Sequence, residues 1–376
     1  MTADTGEPFL LTPGPLTTSR ETKQAMLRDW GSRDAAFIQI NREVRDRLVA
    51  LARGGDAFTC VPVQGSGTFA VEAMIATFLP RDGKLLILIN GAYGHRIAKI
   101  CDYLARDYVT YETAEDTPPD PTKVDAQLRD DKSITHVVII HCETTSGILN
   151  PVADIATVVA QHGRRFLVDS MSAFGALEID VAALPCDALC ASSNKCIEGA
   201  PGMGFVICRK DSLAAAKGNA HSLSLDLEDQ WSAMEKNAQW RFTPPTHVVA
   251  AFHQALAEHA AEGGVAGRGG RYRRNCEILV SGMEELGFKP LLPASLQAPI
   301  IVTFHMPADP GFDFQVFYDR LAEQGYVIYP GKLTVADSFR IGCIGRLDET
   351  VMRGALDAIR DTLAEMNVSD RGPVAA

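Results

Sequence analysis

The sequence predicts an α/β fold, with a large domain built on a mainly parallel sheet and a smaller α+β domain after it. Short apolar runs alternate with stretches of helical character, as expected when helices connect parallel strands. Most of these runs lack polar alternation, which is typical of strands that are buried on both faces. Residues 263–270, Gly-Gly-Val-Ala-Gly-Arg-Gly-Gly, form the sharpest change of composition and indicate a boundary or hinge between the domains.

The large domain is predicted to contain six strands. They lie near residues 57–62, 84–90, 136–141, 166–169, 187–191 and 204–208. Its helices are predicted at residues 19–29, 35–52, 123–128, 153–162 and 248–262, and two more open near residues 66 and 91. We therefore expect an N-terminal arm (1–18) that contributes to the small domain and the active site, a large domain (19–262) and a small domain (263–376).

The small domain is predicted to begin with a helix that ends at Leu286. Its first turn is expected to carry Arg271, Arg273 and Arg274. The later elements are predicted as strands at 300–305, 326–329 and 338–341 and helices at 314–324 and 348–366. Residues 369–376 are expected to be disordered, as chain ends often are.

Composition limits the possible functions. The 376 residues are 46% hydrophobic, enough for a large core. The net charge of -11 argues against nucleic-acid binding, which recruits excess Lys and Arg. The N-terminus has neither a basic start nor an apolar run, and no later run is long enough to span a bilayer. These features predict a cytoplasmic protein with neither nucleic-acid nor membrane partners.

The nine cysteines are scattered through apolar runs, which predicts reduced core residues and no disulfide framework. Cys186, Cys190 and Cys196 are irregularly spaced and have no local histidine, so we expect no metal site there.

Lys195 is the first candidate for catalysis. It lies among small polar residues between two apolar runs, with glycines at 199, 202 and 204 after it. Burial lowers the pKa of a lysine and makes its amine available as a nucleophile or for an imine. The alternative is a lysine that only caps a turn.

Asp169 is the second candidate, because it falls where the short strand 166–168 would end. Ligands of open α/β sheets bind at the carboxyl ends of strands, so Asp169 and Lys195 are expected to face one crevice. That pair suits pyridoxal 5'-phosphate: the lysine would hold the cofactor aldehyde, and the carboxylate would pair with the pyridine nitrogen.

A third feature is the turn Ser66-Gly-Thr, which follows a predicted strand and opens an apolar helix. Amides of a first helical turn, together with the hydroxyls of Ser66 and Thr68, can hold a phosphate at the positive end of the helix dipole. Ser and Thr also cap helices without any ligand. Alongside Asp169 and Lys195, the turn predicts a phosphate site.

Other residues are candidates for the walls of the crevice. Tyr93 could stack on a flat ring or pack at its helix start. Arg340 lies in an apolar run, where an arginine suits a carboxylate or phosphonate ligand, although an internal ion pair is the alternative. Arg33 could contact an anion or be exposed to solvent. The loop with Thr243 could cap its own helix or project into a partner subunit.

With these motifs in place, the chain resembles the class V aminotransferases of the fold-type I pyridoxal-phosphate enzymes. The resemblance covers nearly the whole chain. Its most specific motifs are His-Cys-Glu-Thr-Thr-Ser-Gly-Ile-Leu-Asn-Pro at 141–151, Val-Asp-Ser-Met-Ser-Ala-Phe-Gly at 168–175, Ser-Asn-Lys-Cys-Ile-Glu-Gly-Ala-Pro-Gly at 193–202 and Phe-Thr-Pro-Pro-Thr-His at 242–247. The asparagine before the lysine resembles the branch that uses 2-aminoethylphosphonate and pyruvate, because alanine:glyoxylate and serine:pyruvate enzymes typically have glutamine there.

The resemblance implies a role for each candidate. Lys195 and Asp169 would be catalytic. The residues implied to hold the cofactor are Ser66, Gly67, Thr68, Tyr93, Thr145, Asp169, Lys195 and, from a neighbouring subunit, Thr243. The residues implied to bind substrate are Arg340, with Thr12, Gly14 and Arg33 as further candidates. A homodimer with shared active sites is therefore expected.

The implied reaction moves the amino group of 2-aminoethylphosphonate to pyruvate and gives phosphonoacetaldehyde and L-alanine, in phosphonate catabolism. An alanine:glyoxylate or serine:pyruvate aminotransferase on the same scaffold is the nearest alternative. A cysteine desulfurase fits less well, because Cys343 is expected in a buried strand and not on a mobile loop. A non-catalytic pyridoxal-phosphate-binding protein is the remote alternative.

Overall fold

The structure is a computed structural model that describes residues 6–329 and 335–373. The strands are β1 (Phe9–Leu10), β2 (Phe58–Gln64), β3 (Lys84–Ile89), β4 (Asp107–Glu112), β5 (Ile134–Ile140), β6 (Cys142–Glu143), β7 (Ile148–Leu149), β8 (Arg165–Asp169), β9 (Ala188–Ser192), β10 (Met203–Arg209), β11 (Ile301–His305), β12 (Tyr326–Val327) and β13 (Ser338–Gly342). The α-helices are α1 (Arg20–Gln24), α2 (Ala35–Leu51), α3 (Gly67–Phe78), α4 (Ala92–Tyr103), α5 (Pro121–Asp130), α6 (Val152–Gln161), α7 (Lys210–Ala215), α8 (Leu227–Asn237), α9 (Thr246–Ala261), α10 (Gly264–Glu285), α11 (Phe314–Glu323) and α12 (Glu349–Glu365).

A seven-stranded sheet forms the centre of the fold, in the order β2-β10-β9-β8-β5-β3-β4. Five neighbouring strands, from β9 to β4, run parallel, and only β10 runs antiparallel to its neighbours. The mainly parallel sheet of the predicted α/β class is therefore confirmed. The carboxyl ends of β5, β8 and β9 lie side by side, so the residues that follow them share one edge.

Both faces of this sheet are buried under helices. In β3, Leu86 and Leu88 belong to one apolar core, whereas Leu85, Ile87 and Ile89 belong to another on the opposite face. Burying each such side chain contributes about 1.5–3 kcal/mol. The continuous apolar runs in the sequence thus correspond to strands with two covered faces.

A separate apolar core lies in the C-terminal part around Phe339 of β13. Its ring packs against Phe288, Phe304 and Phe317 at centroid distances of 5.6–5.9 Å. The N-terminal arm joins this part, because β1 pairs in parallel with β12 and Gly342 N donates to a carbonyl of the arm. The division of the chain after residues 18 and 262 stays a prediction.

The sequence analysis did not predict strand β4, which lies at the edge of the sheet. Its sequence, Asp-Tyr-Val-Thr-Tyr-Glu, is largely polar, and none of its residues is fully buried. An edge strand has a neighbouring strand on one side only and is more exposed to solvent, so its sequence lacks the continuous apolar run of a central strand. Helices α7 and α8 were not predicted either.

Several predicted boundaries were wrong. The helix predicted at 19–29 ends at Gln24 and continues only as a 3-10 turn, Ala25–Leu27. The glycines at 267–270 lie inside α10, so Arg271 is two turns from the helix start. A Cβ on Gly269 would lie 2.2 Å from Ala176 O; glycine here permits close helix packing rather than ending the helix.

The predicted disorder of the tail is wrong for residues 369–373. The amides of Ser369 and Asp370 donate to the Asp309 carboxylate, which holds this segment on the C-terminal part. Residues 374–376 lie outside the described residues. Within the described ranges, no helix is long and apolar enough to cross a membrane.

Candidate active site

A cavity of about 490 Å³ opens at the carboxyl ends of β8 and β9. The predicted site residues that line it are Gly14, Ser66, Gly67, Thr68, Tyr93, Asp169 and Lys195. These residues come from five separate segments between the N-terminal arm and residue 195. The parallel strands bring them together at one edge of the sheet, which is where open α/β sheets bind ligands.

The Lys195 amine points into this cavity from the turn after β9. Its Nζ donates to Pro13 O at 2.6 Å. Burial lowers the pKa of Lys195 from 10.5 to about 8, against the opposing effects of the nearby Cys196 and Asp169. A substantial part of the amine is therefore neutral near physiological pH, as a nucleophile or a base requires.

Asp169 ends β8 beside this amine. Burial raises the pKa of its carboxyl from 3.8 to about 6, although the amide of Met171 donates to Oδ1 at 2.9 Å. The described residues show no salt bridge to Asp169 within 4 Å. A buried carboxylate in this state gains from a cationic group delivered by a ligand, such as a protonated pyridine nitrogen.

The predicted phosphate site lies at the start of α3. Ser66 is the N-cap residue, yet its side chain makes no capping hydrogen bond, so the first-turn amides face the cavity. Ser192, also on the cavity wall, has a buried hydroxyl without a partner among the described residues. Open amides at a helix N-terminus, together with an unpartnered hydroxyl on the wall of the same cavity, suit an anionic phosphate.

Arg96 is a wall residue that the sequence analysis did not single out. Its guanidinium lies 4.7 Å from the centre of the Tyr93 ring and donates to Thr68 Oγ1 at 3.3 Å. The arginine thus adds positive charge beside the predicted phosphate site. Its position three residues after Tyr93 on the same helix face could have revealed it.

Thr145 follows β6, does not line the cavity, and is held by Glu143. The Thr145 hydroxyl donates to Glu143 Oε1 at 2.6 Å and accepts from Ala92 N at 2.9 Å. Glu143 also accepts from Tyr93 N at 3.2 Å, and burial raises the pKa of its carboxyl. Glu143 therefore fixes both the threonine and the start of α4.

Arg340 approaches this turn from β13. Its side chain is about 1% exposed, Nη1 donates to Thr144 O at 2.7 Å, and Cζ lies 4.9 Å from the Tyr329 ring centre. Burial lowers the pKa of Arg340, and nearby Tyr93 acts in the opposite direction. Arg340 is thus next to the Glu143–Thr145 turn but does not line the cavity.

The N-terminal arm closes one side of the site. Gly14 has a φ of +121°, which favours glycine, and a Cβ there would lie 2.7 Å from Lys195 Nζ. Thr12 shapes the arm internally: its hydroxyl donates to Pro15 O at 2.5 Å and accepts from Gly14 N at 3.2 Å. Gly14 therefore lies next to the amine, whereas Thr12 holds the conformation of the arm and does not itself line the cavity.

Five predicted residues do not line the cavity within a single chain: Thr12, Thr145, Arg340, Arg33 and Thr243. Arg33 is exposed and does not line it. Thr243 lines a neighbouring cavity of about 530 Å³, which shares Gly65 with the first. The half-exposed rings of Phe69 and Phe242 border this second cavity.

All nine cysteines are free and buried, which confirms their predicted place in the core; their reduced state stays a prediction. Cys343 directly follows β13 and is fully buried. Its thiol is therefore not on an exposed loop, as a desulfurase nucleophile would require.

The chain is similar to curated proteins along nearly its whole length. It is 58% identical over 364 residues to a 2-aminoethylphosphonate--pyruvate transaminase of Pseudomonas fluorescens, which covers 97% of this chain and 99% of that protein. It is 56% identical over 369 residues to a protein of the same name from Cupriavidus necator, with 98% of each chain covered.

Solved structures share the fold. The ureidoglycine-glyoxylate aminotransferase of Bacillus subtilis has a TM-score of 0.88 at 23% identity and covers 96% of this chain and 94% of its own. The pyridoxamine-pyruvate aminotransferase of Mesorhizobium loti has a TM-score of 0.88 at 22% identity and covers 98% of this chain and 95% of its own. A family model described as aminotransferase class-V matches residues 18–335. The chain belongs to the class V aminotransferases.

Proposed function

We propose that this protein transfers the amino group of 2-aminoethylphosphonate to pyruvate and forms phosphonoacetaldehyde and L-alanine. The observation that carries the proposal is the buried Lys195 amine, which lines one cavity with Asp169 and the start of α3. Burial lowers its pKa to about 8. The printed names of relatives that are 56–58% identical support the choice of substrates.

The cofactor in this proposal is pyridoxal 5'-phosphate. Its phosphate suits the open amides of Gly67 and Thr68 with the orphaned Ser192 hydroxyl, and its pyridine nitrogen suits Asp169. Tyr93 would cover one face of the ring, and Thr145 would lie near the ring hydroxyl. When bound, the cofactor supplies an electron sink for the amine-bearing carbon of the substrate.

Lys195 has two tasks in this mechanism. Its neutral amine would hold the cofactor before substrate binds. Once free, Nζ would take the proton from the amine-bearing carbon of the donor substrate. In the second half, with pyruvate, Nζ would return a proton to the corresponding carbon. Pro13 O, which accepts from Nζ at 2.6 Å, orients the amine.

Arg340, which does not line the cavity in this structure, would turn from the Thr144 carbonyl toward the cavity to bind the acidic end of each substrate. A guanidinium matches both phosphonate and carboxylate through paired hydrogen bonds. Because a phosphonate carries more charge than a carboxylate, a second cation favours the phosphonate donor. Arg96 at the cavity wall supplies positive charge near the site, and Arg33 remains a candidate only if another subunit brings it closer.

We also propose that the protein works as a homodimer with shared active sites, in which Thr243 reaches the phosphate site of the neighbouring subunit. The exposed Phe69 and Phe242 support this arrangement, because they form an apolar rim next to that site. Gel filtration of the loaded protein tests it: a monomer with full activity would contradict the proposal. The cytoplasmic location stays a prediction.

The decisive experiment measures transamination by cofactor-loaded protein with separate donors. Alanine formation from pyruvate is measured with 2-aminoethylphosphonate or L-serine as donor, and glycine formation from glyoxylate is measured with L-alanine as donor. Turnover with the phosphonate alone supports the proposal. Turnover only with an amino acid would favour the alanine:glyoxylate or serine:pyruvate alternative. A protein with no visible band after addition of the cofactor would favour the non-catalytic alternative.

A further inference from the structure

The turn after Lys195 contains a buried carboxylate, Glu198, in left-handed backbone. Its side chain is 4% exposed and its φ is +63°, a conformation that is unfavourable for a non-glycine residue. Glu198 N donates to Lys195 O at 2.7 Å and so closes the turn that carries the reactive amine. Such strain persists only where surrounding contacts maintain it.

Three side chains of α10 supply those contacts. The carboxylate Oε1 accepts from Tyr272 Oη at 2.5 Å and from Arg271 Nη2 at 2.8 Å. Arg268 Nη1 lies 3.4 Å from the same oxygen and donates to Cys196 O at 2.5 Å. The lysine turn is therefore fixed to α10 through both its backbone and its carboxylate.

Arg271 extends this connection to the C-terminal part. Its Nη1 donates to the carbonyls of Gly345 and Leu347 at 2.5 and 2.9 Å, shortly after the strand that carries Arg340. Glu262 accepts from the Nε atoms of both arginines at 2.7 Å. The two guanidinium groups and two carboxylates balance in charge, as a buried ionic group requires.

We call these side chains the anchor cluster; its members are Glu198, Glu262, Arg268, Arg271 and Tyr272. We infer that the anchor cluster sets the position of the Lys195 amine relative to Arg340, so that its members are positioning residues for amino transfer. This inference rests on the proposed function, in which Lys195 moves a proton on a substrate held by Arg340. Proton transfer is sensitive to such placement, because an error of about 1 Å can cost about 100-fold in rate.

The first test is kinetic. Glu198→Gln removes the central charge at nearly constant size, and Arg271→Gln removes the connection to the C-terminal part. In cofactor-loaded protein, each is expected to lower kcat at least about tenfold and to change KM less than about twofold. In the double variant, the fold-decrease in kcat should be no more than about twice that of the more impaired single variant, because both changes release the same turn.

The second test needs no substrate. Pyridoxal phosphate is added to the cofactor-free full chain, and the rate of appearance of the visible band is measured against pH. The wild-type midpoint is expected near the Lys195 pKa of about 8. Glu198→Gln should raise it by about one unit, because the released amine gains solvent. The other groups that affect the charge of the amine are unchanged in this variant; they are Asp169, Arg96, Cys142 and Cys196.

Asp187→Asn is the matched control. Asp187 is a buried carboxylate at the opposite end of β9, paired with Arg165 Nη1 at 2.9 Å and Ser212 Oγ at 2.6 Å. Loss of the Asp187 charge should lower the stability of the protein without changing kcat or the pH midpoint of cofactor capture. Glu198→Gly removes both the backbone strain and the carboxylate and should match Glu198→Gln.

The outcomes separate the inference from the proposed function. If Glu198→Gln behaves like Asp187→Asn, or if Glu198→Gly keeps wild-type kcat, the positioning role is wrong. If the wild type captures the cofactor but does not use 2-aminoethylphosphonate, the proposed function is wrong. The midpoint shift then still tests the anchor cluster.

Discussion

Replacing Asp169 with asparagine should make the cofactor-free protein more stable and the loaded protein less active. Burial raises the pKa of this carboxyl from 3.8 to about 6. Its ionisation in the folded state is thus less favourable than in the unfolded chain. Asparagine has nearly the same shape and can still accept from Met171 N, but it has no charge to bury.

The size and pH dependence of the effect follow from these two pKa values. A group with a raised folded pKa favours folding below pH 3.8, and this benefit is lost as pH rises to about 6. The difference of about two units corresponds to about 3 kcal/mol. The free energy of unfolding of cofactor-free Asp169→Asn should therefore exceed that of the wild type by up to about 3 kcal/mol at pH 7.5 and by almost nothing near pH 4.

Urea unfolding of both cofactor-free proteins, at equal concentration and at several pH values, measures this difference. Transamination by the loaded variant should fall at least about 100-fold, because the pyridine nitrogen loses its partner. Equal stability of the two proteins at pH 7.5, or a difference that does not change with pH, would refute the reasoning.

Three further changes test individual contacts. Lys195→Ala should abolish transamination while the far-ultraviolet circular dichroism stays that of the wild type; substantial turnover would exclude the proposed role. Arg340→Lys should raise KM for both substrates about tenfold or more, since lysine lacks the paired donors; an effect on one substrate only would disprove a shared anion site. Gly14→Ala places a Cβ 2.7 Å from Lys195 Nζ at a φ of +121°, so the rate of cofactor capture should fall at least about tenfold; a rate equal to that of the wild type would show that the arm moves freely.

The central strands were predictable because each is a continuous apolar run. Burial of both faces leaves such a strand no polar positions, so the run itself gives the position of the strand. Strand β4 has a polar edge, and its pattern is weaker for that reason. The glycines before Arg271 were misinterpreted, since a glycine that permits close packing inside a helix has the same sequence as one that ends a helix.

Candidate site residues next to strand ends were predictable in the same way. Asp169 and Ser66 lie close to strand ends, and parallel strands place those ends together. Arg96 and Glu198 act through side chains that reach across segments, and a single sequence does not show which partner they meet. Arg33 was chosen by charge alone, and charge does not specify position.

The arm at Gly14 and the strand with Gly342 have a consequence for protein synthesis. Gly342 N donates to Leu11 O, and the same arm supplies the carbonyl that accepts from the Lys195 amine. The arm is synthesised long before β13 and gains this partner only when that strand has been made. A nascent chain stalled before residue 342 would therefore carry the lysine in an unfinished pocket, and cofactor capture by a complete site follows the synthesis of β13.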